Sequence, residues 1–145
     1  MNIDLEITPA EWQIMRVVWS LRQTRQTTSS QIIEILQKKV DWKPATIKTL
    51  LRRLVDKKAL SATRQGRGFI YEPLVPEQQT MDQAADNLFN NICERHVGST
   101  LEHVINNVTL SKDDIAKLQE LLASKAINSP DHVKCNCIPD MQMNC

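Results

Sequence analysis

One stretch of the chain, residues 42–58 (WKPATIKTLLRRLVDKK), constrains the fold more than any other. At 3.6 residues per turn its aliphatic side chains fall on one helical face, which carries Ile47, Leu50, Leu51 and Leu54. The opposite face is basic and rich in hydroxyl groups. Pro44 suits the first turn of a helix, where its missing N–H would have no intrahelical partner. The stretch therefore predicts a helix that packs on a core and presents a cationic surface.

The leading end of a helix is the part that recognition helices direct toward DNA bases, and the polar residues of this stretch cluster there. We expect Thr46, Thr49 and Arg52 to contact base edges in the major groove. We expect Lys48 and Arg53 to contact phosphates. The alternative is an ordinary solvated helix surface, so the interpretation depends on the neighbouring segments.

The preceding segments predict two more helices. A Thr-Pro-Ala-Glu sequence that starts at Thr8 has the pattern of a capping box, with proline at the first helical position, and predicts a helix over about residues 9–22. Thr28 or Ser29 can cap a second helix. A short link then leads to the helix at Pro44, so the three helices predict a helix-turn-helix in which the second helix supports the third.

The segment after these helices predicts a β-hairpin. Residues 59–64 and 68–72 have strand-forming character, and glycines between them permit a tight turn. The tip carries Arg64 and Arg67, which we expect to touch phosphates or the minor groove. A basic hairpin directly after a basic helix is typical of a winged helix-turn-helix.

These segments resemble a known family. The runs TPAEWQIMRVVW, KPATIKTLLRRLVDKKAL and RQGRGFIYEP are similar to the DNA-binding half of the penicillinase repressor (BlaI/MecI) family, over about residues 5–75. The resemblance implies a homodimeric winged-helix repressor that binds a palindromic operator in double-stranded DNA. An enzyme is not expected, because the sequence has no phosphate-binding glycine-rich loop and no nucleophile motif.

The charge of the chain is divided between its halves. Residues 1–75 contain 13 Lys and Arg against 7 Asp and Glu, whereas residues 76–145 contain 5 against 10. This division suggests that only the first half contacts a polyanion. The sequence shows neither a membrane-length apolar run nor a leader, so we expect a cytoplasmic protein without a membrane partner.

Amphipathic helical patterns continue over residues 76–127. So few residues cannot bury their apolar stripes unaided, and a second subunit is the natural partner. Cys93 and His96 are three apart and could share the face of a helix as ligands. The favoured interpretation is that Cys93 is a small buried hydrophobic residue, because two ligands are too few for a closed zinc site.

The tail, residues 128–145, concentrates potential metal ligands. It contains Cys135, Cys137 and Cys145, with His132 before them and Met143 among them. Clustered thiols in an intracellular chain favour a metal site over a structural disulfide. Thiolates with a thioether are the donors that suit Cu(I). The alternative is an unstructured tail with incidental cysteines.

The tail also resembles that of the copper-responsive CopY branch, with its signature C-x-C-x(4 or 5)-C-x-C. The first pair is intact as Cys135 and Cys137, but the second reads Met143, Asn144, Cys145. A thioether binds Zn(II) poorly, so Cu(I) is the expected ligand and Zn(II) a second candidate that would need His132 or the terminal carboxylate of Cys145. The resemblance implies control of copper export or trafficking genes, with a copper chaperone as a candidate source of Cu(I).

The sequence thus predicts a mainly α protein in three regions. Residues 1–75 form a winged helix-turn-helix domain, residues 76–127 a helical dimerisation region, and residues 128–145 a metal-binding tail. Two alternatives stay open. One is a BlaI/MecI-type repressor inactivated by proteolysis, and the other is a metal-buffering protein with incidental affinity for DNA.

Overall fold

A computed structural model of the chain describes residues 5–23 and 27–139. The chain divides into two compact units, Met1–Ala85 and Asp86–Cys145. The helices are α1 (Pro9–Arg22), α2 (Ser29–Gln37), α3 (Pro44–Asp56), α4 (Glu77–Asn90), α5 (Val97–Asn107) and α6 (Lys112–Ala126), with a short 3-10 helix at Glu94–His96. The strands are β1 (Leu60–Gln65) and β2 (Gly68–Pro73). The chain is therefore mainly α, as the sequence predicts.

The first two helices begin at side-chain caps. The Thr8 hydroxyl accepts a hydrogen bond from the N–H of Glu11 at 3.3 Å, and the Glu11 carboxylate accepts one from the N–H of Thr8 at 3.3 Å. Thr28 and Gln31 form the same reciprocal pair, at 3.3 and 3.1 Å. These bonds satisfy backbone donors that have no partner inside the helix. The predicted capping box at Thr8 is confirmed, and Thr28 rather than Ser29 is the second cap.

The core of the first unit lies between α1, α2 and α3. The four α3 residues predicted to face inward are all buried, with Ile47, Leu51 and Leu54 fully enclosed. Burying one such aliphatic side chain contributes roughly 1.5–3 kcal/mol. Trp19 of α1 packs in the same core, and its indole N–H donates to the carbonyl of Val75 at 3.2 Å. That bond ties the segment after β2 to α1.

A sharp turn links α3 to β1. Lys58 has φ 64, the left-handed region, so it ends the helix where glycine is more usual. The N–H of Ala59 donates to the carbonyl of Leu54 at 2.9 Å, and the N–H of Lys58 donates to that of Val55 at 3.0 Å. Both carbonyls belong to the last turn and would otherwise lack partners. The chain therefore leaves α3 directly into the hairpin.

The hairpin, which we call the wing, pairs β1 with β2 in antiparallel register, with Arg64 opposite Phe69. Gly66 turns the chain at φ 61, a conformation that glycine adopts without steric cost. The N–H of Tyr71 donates to the carbonyl of Thr27 at 2.8 Å, which holds the wing against the start of α2. The predicted winged helix-turn-helix is confirmed.

In the second unit, α5 and α6 have no buried residue. Their exposed large apolar side chains are Leu101, Val104, Ile105, Ile115, Leu121 and Leu122. The Ser111 hydroxyl accepts from the N–H of Asp114 at 3.0 Å, which caps α6 as the sequence predicts. Across residues 5–23 and 27–139, no helix is both long and apolar enough to cross a bilayer.

Candidate functional site

The polar face of α3 is open to solvent. Thr46, Lys48, Arg52 and Arg53 are exposed, and Thr49 is half-buried. The Thr49 hydroxyl donates to the carbonyl of Ala45 one turn earlier, at 3.0 Å. Because the buried leucines fix the rotation of α3, its basic and hydroxyl side chains project together from the opposite face.

The wing adds a second basic element. Arg64 lies near the end of β1 and Arg67 in the turn, and both are exposed. Phe69, opposite Arg64, is also exposed, and its ring centroid lies 6.5 Å from that of Tyr71. Burial raises the pKa of the Tyr71 hydroxyl.

A cluster of three sulfur atoms lies in the second unit. The Sγ atoms of Cys93, Cys135 and Cys137 are all within 4.8 Å of one another, and we call these residues the thiol cluster. Cys93 and Cys135 are half-buried, whereas Cys137 is exposed. Zn–S bonds of about 2.3 Å place tetrahedral thiolates about 3.8 Å apart, so small movements would bring these sulfurs around one ion. With Cys135 reduced, the donor set fits a soft metal ion.

The sequence interpretation considered Cys93 as a ligand and rejected it. α4 ends at Asn90, and Cys93 has extended backbone at the start of the 3-10 helix, so Cys93 and His96 do not share a helical face. The prediction that Cys93 is a buried hydrophobic residue was wrong, because Cys93 is half-buried and its sulfur lies beside those of Cys135 and Cys137. Only the Cys-x-Cys spacing of the tail carried a local signal.

Backbone groups hold the two parts of the thiol cluster together. The N–H of Glu94 donates to the side-chain carbonyl of Asn136, between the two tail cysteines, at 3.0 Å. The N–H of Cys137 donates to the sulfur of Cys135 at 3.5 Å. The Cys-x-Cys segment is thus fixed against the start of the 3-10 helix.

Hydrogen bonds also set the acidity of two of the thiols. Burial acts to raise the pKa of Cys93, but bonds from the Arg95 backbone, the Cys137 thiol and the Asn136 and His96 backbones outweigh it and leave that pKa lowered. The hydrogen bond between the Cys93 and Cys137 side chains is the largest of the causes that raise the pKa of Cys137. Burial of Cys137 and the charge of Cys93 raise that pKa further. Cys93 is therefore the better thiolate, the form that binds metals.

The other predicted ligands are not part of this cluster. His132 is exposed and is not one of the three clustered residues in the part of the chain that the structure describes. Met143 and Cys145 lie outside the described residues. The structure has Cys135 in a disulfide, and a disulfide sulfur is not a thiolate ligand. Metal binding at the cluster therefore requires the reduced chain.

A three-helix core that carries a basic helix and an adjoining basic wing defines a winged-helix DNA-binding protein. Residues 7–124 match the penicillinase repressor family, and the chain belongs to that family. By fold and family it is a DNA-binding transcriptional repressor of the BlaI/MecI type. The expectations of this family and of a non-enzyme are confirmed, whereas the CopY branch stays a prediction.

Several relatives resemble most of the chain. An uncharacterized 16.5 kDa protein of Latilactobacillus sakei is 45% identical over 135 residues, covering 93% of this chain and 90% of the relative. The methicillin resistance regulatory protein MecI of Staphylococcus aureus (strain N315) is 30% identical over 124 residues, covering 86% and 98%. The solution structure of the DNA-binding domain of the repressor BlaI shares 35% identity and covers 53% of this chain and 90% of that chain, with a TM-score of 0.46.

Proposed function

We propose that this chain is a copper-responsive transcriptional repressor. As a homodimer it binds a palindromic operator in double-stranded DNA, and Cu(I) binding to its cysteine-rich C-terminal region releases it. The observation that carries the proposal is the approach of three cysteine sulfurs to within 4.8 Å in a repressor of this family. Repressor activity alone gives no reason for such a cluster.

The DNA contacts in this proposal come from α3 and the wing. The exposed face of α3 enters the major groove, where Arg can bond guanine and a Thr methyl can contact a thymine methyl. Thr46, Thr49 and Arg52 contact bases. Arg64 and Arg67 reach phosphates or the minor groove from the wing, and Lys48 and Arg53 contact phosphates from α3.

The dimer contacts come from the second unit. Leu121 and Leu122 are 61% and 57% exposed, and Leu101 and Ile105 of α5 are 41% and 45% exposed. Apolar surface on this scale favours burial against another protein surface. A second copy of this chain is the proposed occupant, because a symmetric dimer would place two recognition helices on a palindromic operator.

The metal ligands in this proposal are thiolates supplemented by the tail. Cys135 and Cys137 are the central pair, and Cys145, Met143 and His132 are the further candidates. Cu(I) accepts soft thiolate and thioether donors, whereas Zn(II) favours four N or S donors. The thiols must lose their protons to bind, so binding releases protons and weakens as the pH falls. We infer Cu(I) as the effector and Zn(II) as a candidate resting ion.

The biological setting follows from this chemistry. The regulated genes would encode copper export or trafficking proteins, and the chain would act in the cytoplasm. A copper chaperone would be a suitable donor, since it could pass Cu(I) directly to the exposed Cys137 thiol.

The test is a gel-shift titration on the promoter of the chain's own gene, with apo, Zn(II)-loaded and Cu(I)-loaded protein under reducing conditions. We expect operator binding by the apo or zinc form and release by Cu(I). Operator affinity that is the same with and without copper would contradict the proposal and favour a repressor controlled by proteolysis. Equal binding to operator and random DNA would favour a metal buffer. Cys137→Ser should raise the copper concentration needed for release; unchanged release would exclude this cysteine as part of the sensor.

A further inference from the structure

We propose that Cys93 is a metal ligand, and that a metal ion bound at the thiol cluster fastens the link between α4 and the 3-10 helix to the tail. The inference rests on the proposed function only for the choice of metal. It adds a ligand outside the tail, and with it a route by which metal occupancy acts on the helices of the second unit.

The contact is a property of the fold and not of local sequence. Glu94 and Asn136, which follow Cys93 and Cys135, are 42 residues apart in sequence, yet the N–H of Glu94 reaches the side chain of Asn136 at 3.0 Å. That bond holds the two segments in place without any bond between sulfur and metal. The approach of Cys93 to the tail sulfurs therefore has support from the backbone.

The number of thiolate donors also favours Cys93 as a ligand. A Cys-x-Cys pair alone gives two thiolates, too few for a closed zinc site. Cys93 raises the count to three within the described residues, and all three sulfurs lie within 4.8 Å of one another. It supplies the thiol that the tail lacks where Met143 stands. The departure at Met143 therefore need not cost the chain a thiolate.

The consequence concerns α5 and α6, which lie in sequence between Cys93 and Cys135. A metal ion that binds both cysteines closes a loop containing both helices and restricts their arrangement. These helices carry the exposed apolar residues proposed for the dimer. Cu(I) and Zn(II) prefer different donor numbers, so exchanging them would alter this restraint and bias the dimer.

Alkylation footprinting tests the ligand directly. Reduced full-length protein is treated with iodoacetamide with and without one equivalent of Zn(II) or Cu(I), then digested with trypsin. Cys93 falls in the peptide that ends at Arg95, whereas the tail cysteines follow Lys134, so mass spectrometry separates them. We expect metal to protect Cys93 together with the tail cysteines, and Cys137→Ser to weaken protection of Cys93. Alkylation of Cys93 at the metal-free rate while the tail is protected would overturn the inference.

Metal affinity gives a second measurement. Cys93→Ser keeps the size of the side chain but removes the thiolate, and it should weaken Zn(II) binding by more than the roughly 10- to 100-fold that loss of a supporting contact costs. Glu94→Gln is the matched control, because it removes a neighbouring carboxylate and keeps the N–H that bonds Asn136. Equal affinities of Cys93→Ser and wild type would contradict the inference. Failure of Cu(I) to release wild-type protein from DNA would instead contradict the proposed function, whatever the footprint shows.

Discussion

The ammonium of Lys57 lies 2.7 Å from the carboxylate of Glu11, whose side chain is 1% exposed. Lys57 also donates to the carbonyl of Glu6 at 2.8 Å. Glu11 sits in the first turn of α1 and Lys57 directly after α3, so the ion pair joins the start of one helix to the end of the other. A buried carboxylate requires such a partner because its desolvation is otherwise uncompensated. The pair thereby helps to hold α3 against α1.

Removing the Lys57 ammonium should destabilise the first unit. Among the described residues, Lys57→Met leaves the buried Glu11 carboxylate with the N–H of Thr8 as its one remaining partner, which should lower the free energy of unfolding by about 1–3 kcal/mol. Lys38→Met is the matched control, since both side chains of the Lys38–Glu34 pair are exposed and their charged groups lie 3.9 Å apart. The control should change stability by less than about 1 kcal/mol. Urea denaturation measures both, and equal effects would show that burial of Glu11 does not govern the pair.

The two basic elements should differ in what their loss does to DNA binding. Arg52→Ala should relax preference at particular operator positions and cost about 1–3 kcal/mol on the operator. Arg67→Ala should weaken binding to operator and to random DNA alike. It should also reduce the slope of log affinity against log salt concentration by about the contribution of one phosphate contact. Arg22→Ala, on the exposed end of α1, is the control for net charge. Equal loss on operator and random DNA for Arg52→Ala would remove Arg52 from the base-contacting residues.

The start of α6 should respond to acid. Hydrogen bonds from the backbone N–H and hydroxyl of Ser111 hold the pKa of Asp114 below its ordinary value of 3.8. Because the folded-state pKa is lowered, the stabilisation is present above pH 3.8 and is lost as the pH falls through the lower folded value. Asp114→Asn should therefore reduce the acid dependence of helix content, measured by circular dichroism. Asp113→Asn, which loses only an exposed pair with Lys117, should retain it.

Local patterns were enough to predict the winged helix-turn-helix. Helix starts are specified within four residues, as at Thr8 and Thr28, where side chain and backbone cap each other. The wing strands lie close to their predicted bounds, because β1 begins and ends one residue later than predicted and β2 ends one residue later. The bond from Tyr71 to Thr27 was not predictable in this way, since it joins the wing to a distant helix start.

The thiol cluster shows where such patterns fail. The Cys-x-Cys spacing by itself marks Cys135 and Cys137 as candidate ligands, because both lie on one short segment. Cys93 carries no comparable signal, because Cys93 and His96 are only two potential ligands, too few for a closed zinc site. Its place beside the tail depends on how the chain folds back after α6, which is set by contacts between distant segments. No local sequence pattern predicts that the chain after α6 folds back to Cys93.

Position 143 and Cys93 should be energetically coupled. The tail alone predicts that Met143→Cys strongly raises zinc affinity by completing two Cys-x-Cys pairs. If Cys93 is a ligand, the wild-type chain already has three clustered thiols in Cys93, Cys135 and Cys137 and a further cysteine in its tail, so a cysteine at position 143 is surplus. Met143→Cys should then raise zinc affinity little in the wild-type background and much more in the Cys93→Ser background.

A double-mutant cycle measures this coupling. Zinc affinity is determined by competition with a chelator for wild type, Cys93→Ser, Met143→Cys and the double variant, all reduced. We expect the two substitutions to be non-additive, with the double variant recovering most of the affinity that Cys93→Ser loses. Met143→Ala should change zinc affinity little, because a thioether contributes little to a zinc site. If Met143→Cys raises affinity by the same factor in both backgrounds, Cys93 and position 143 do not share an ion, and the loop closed around α5 and α6 does not form.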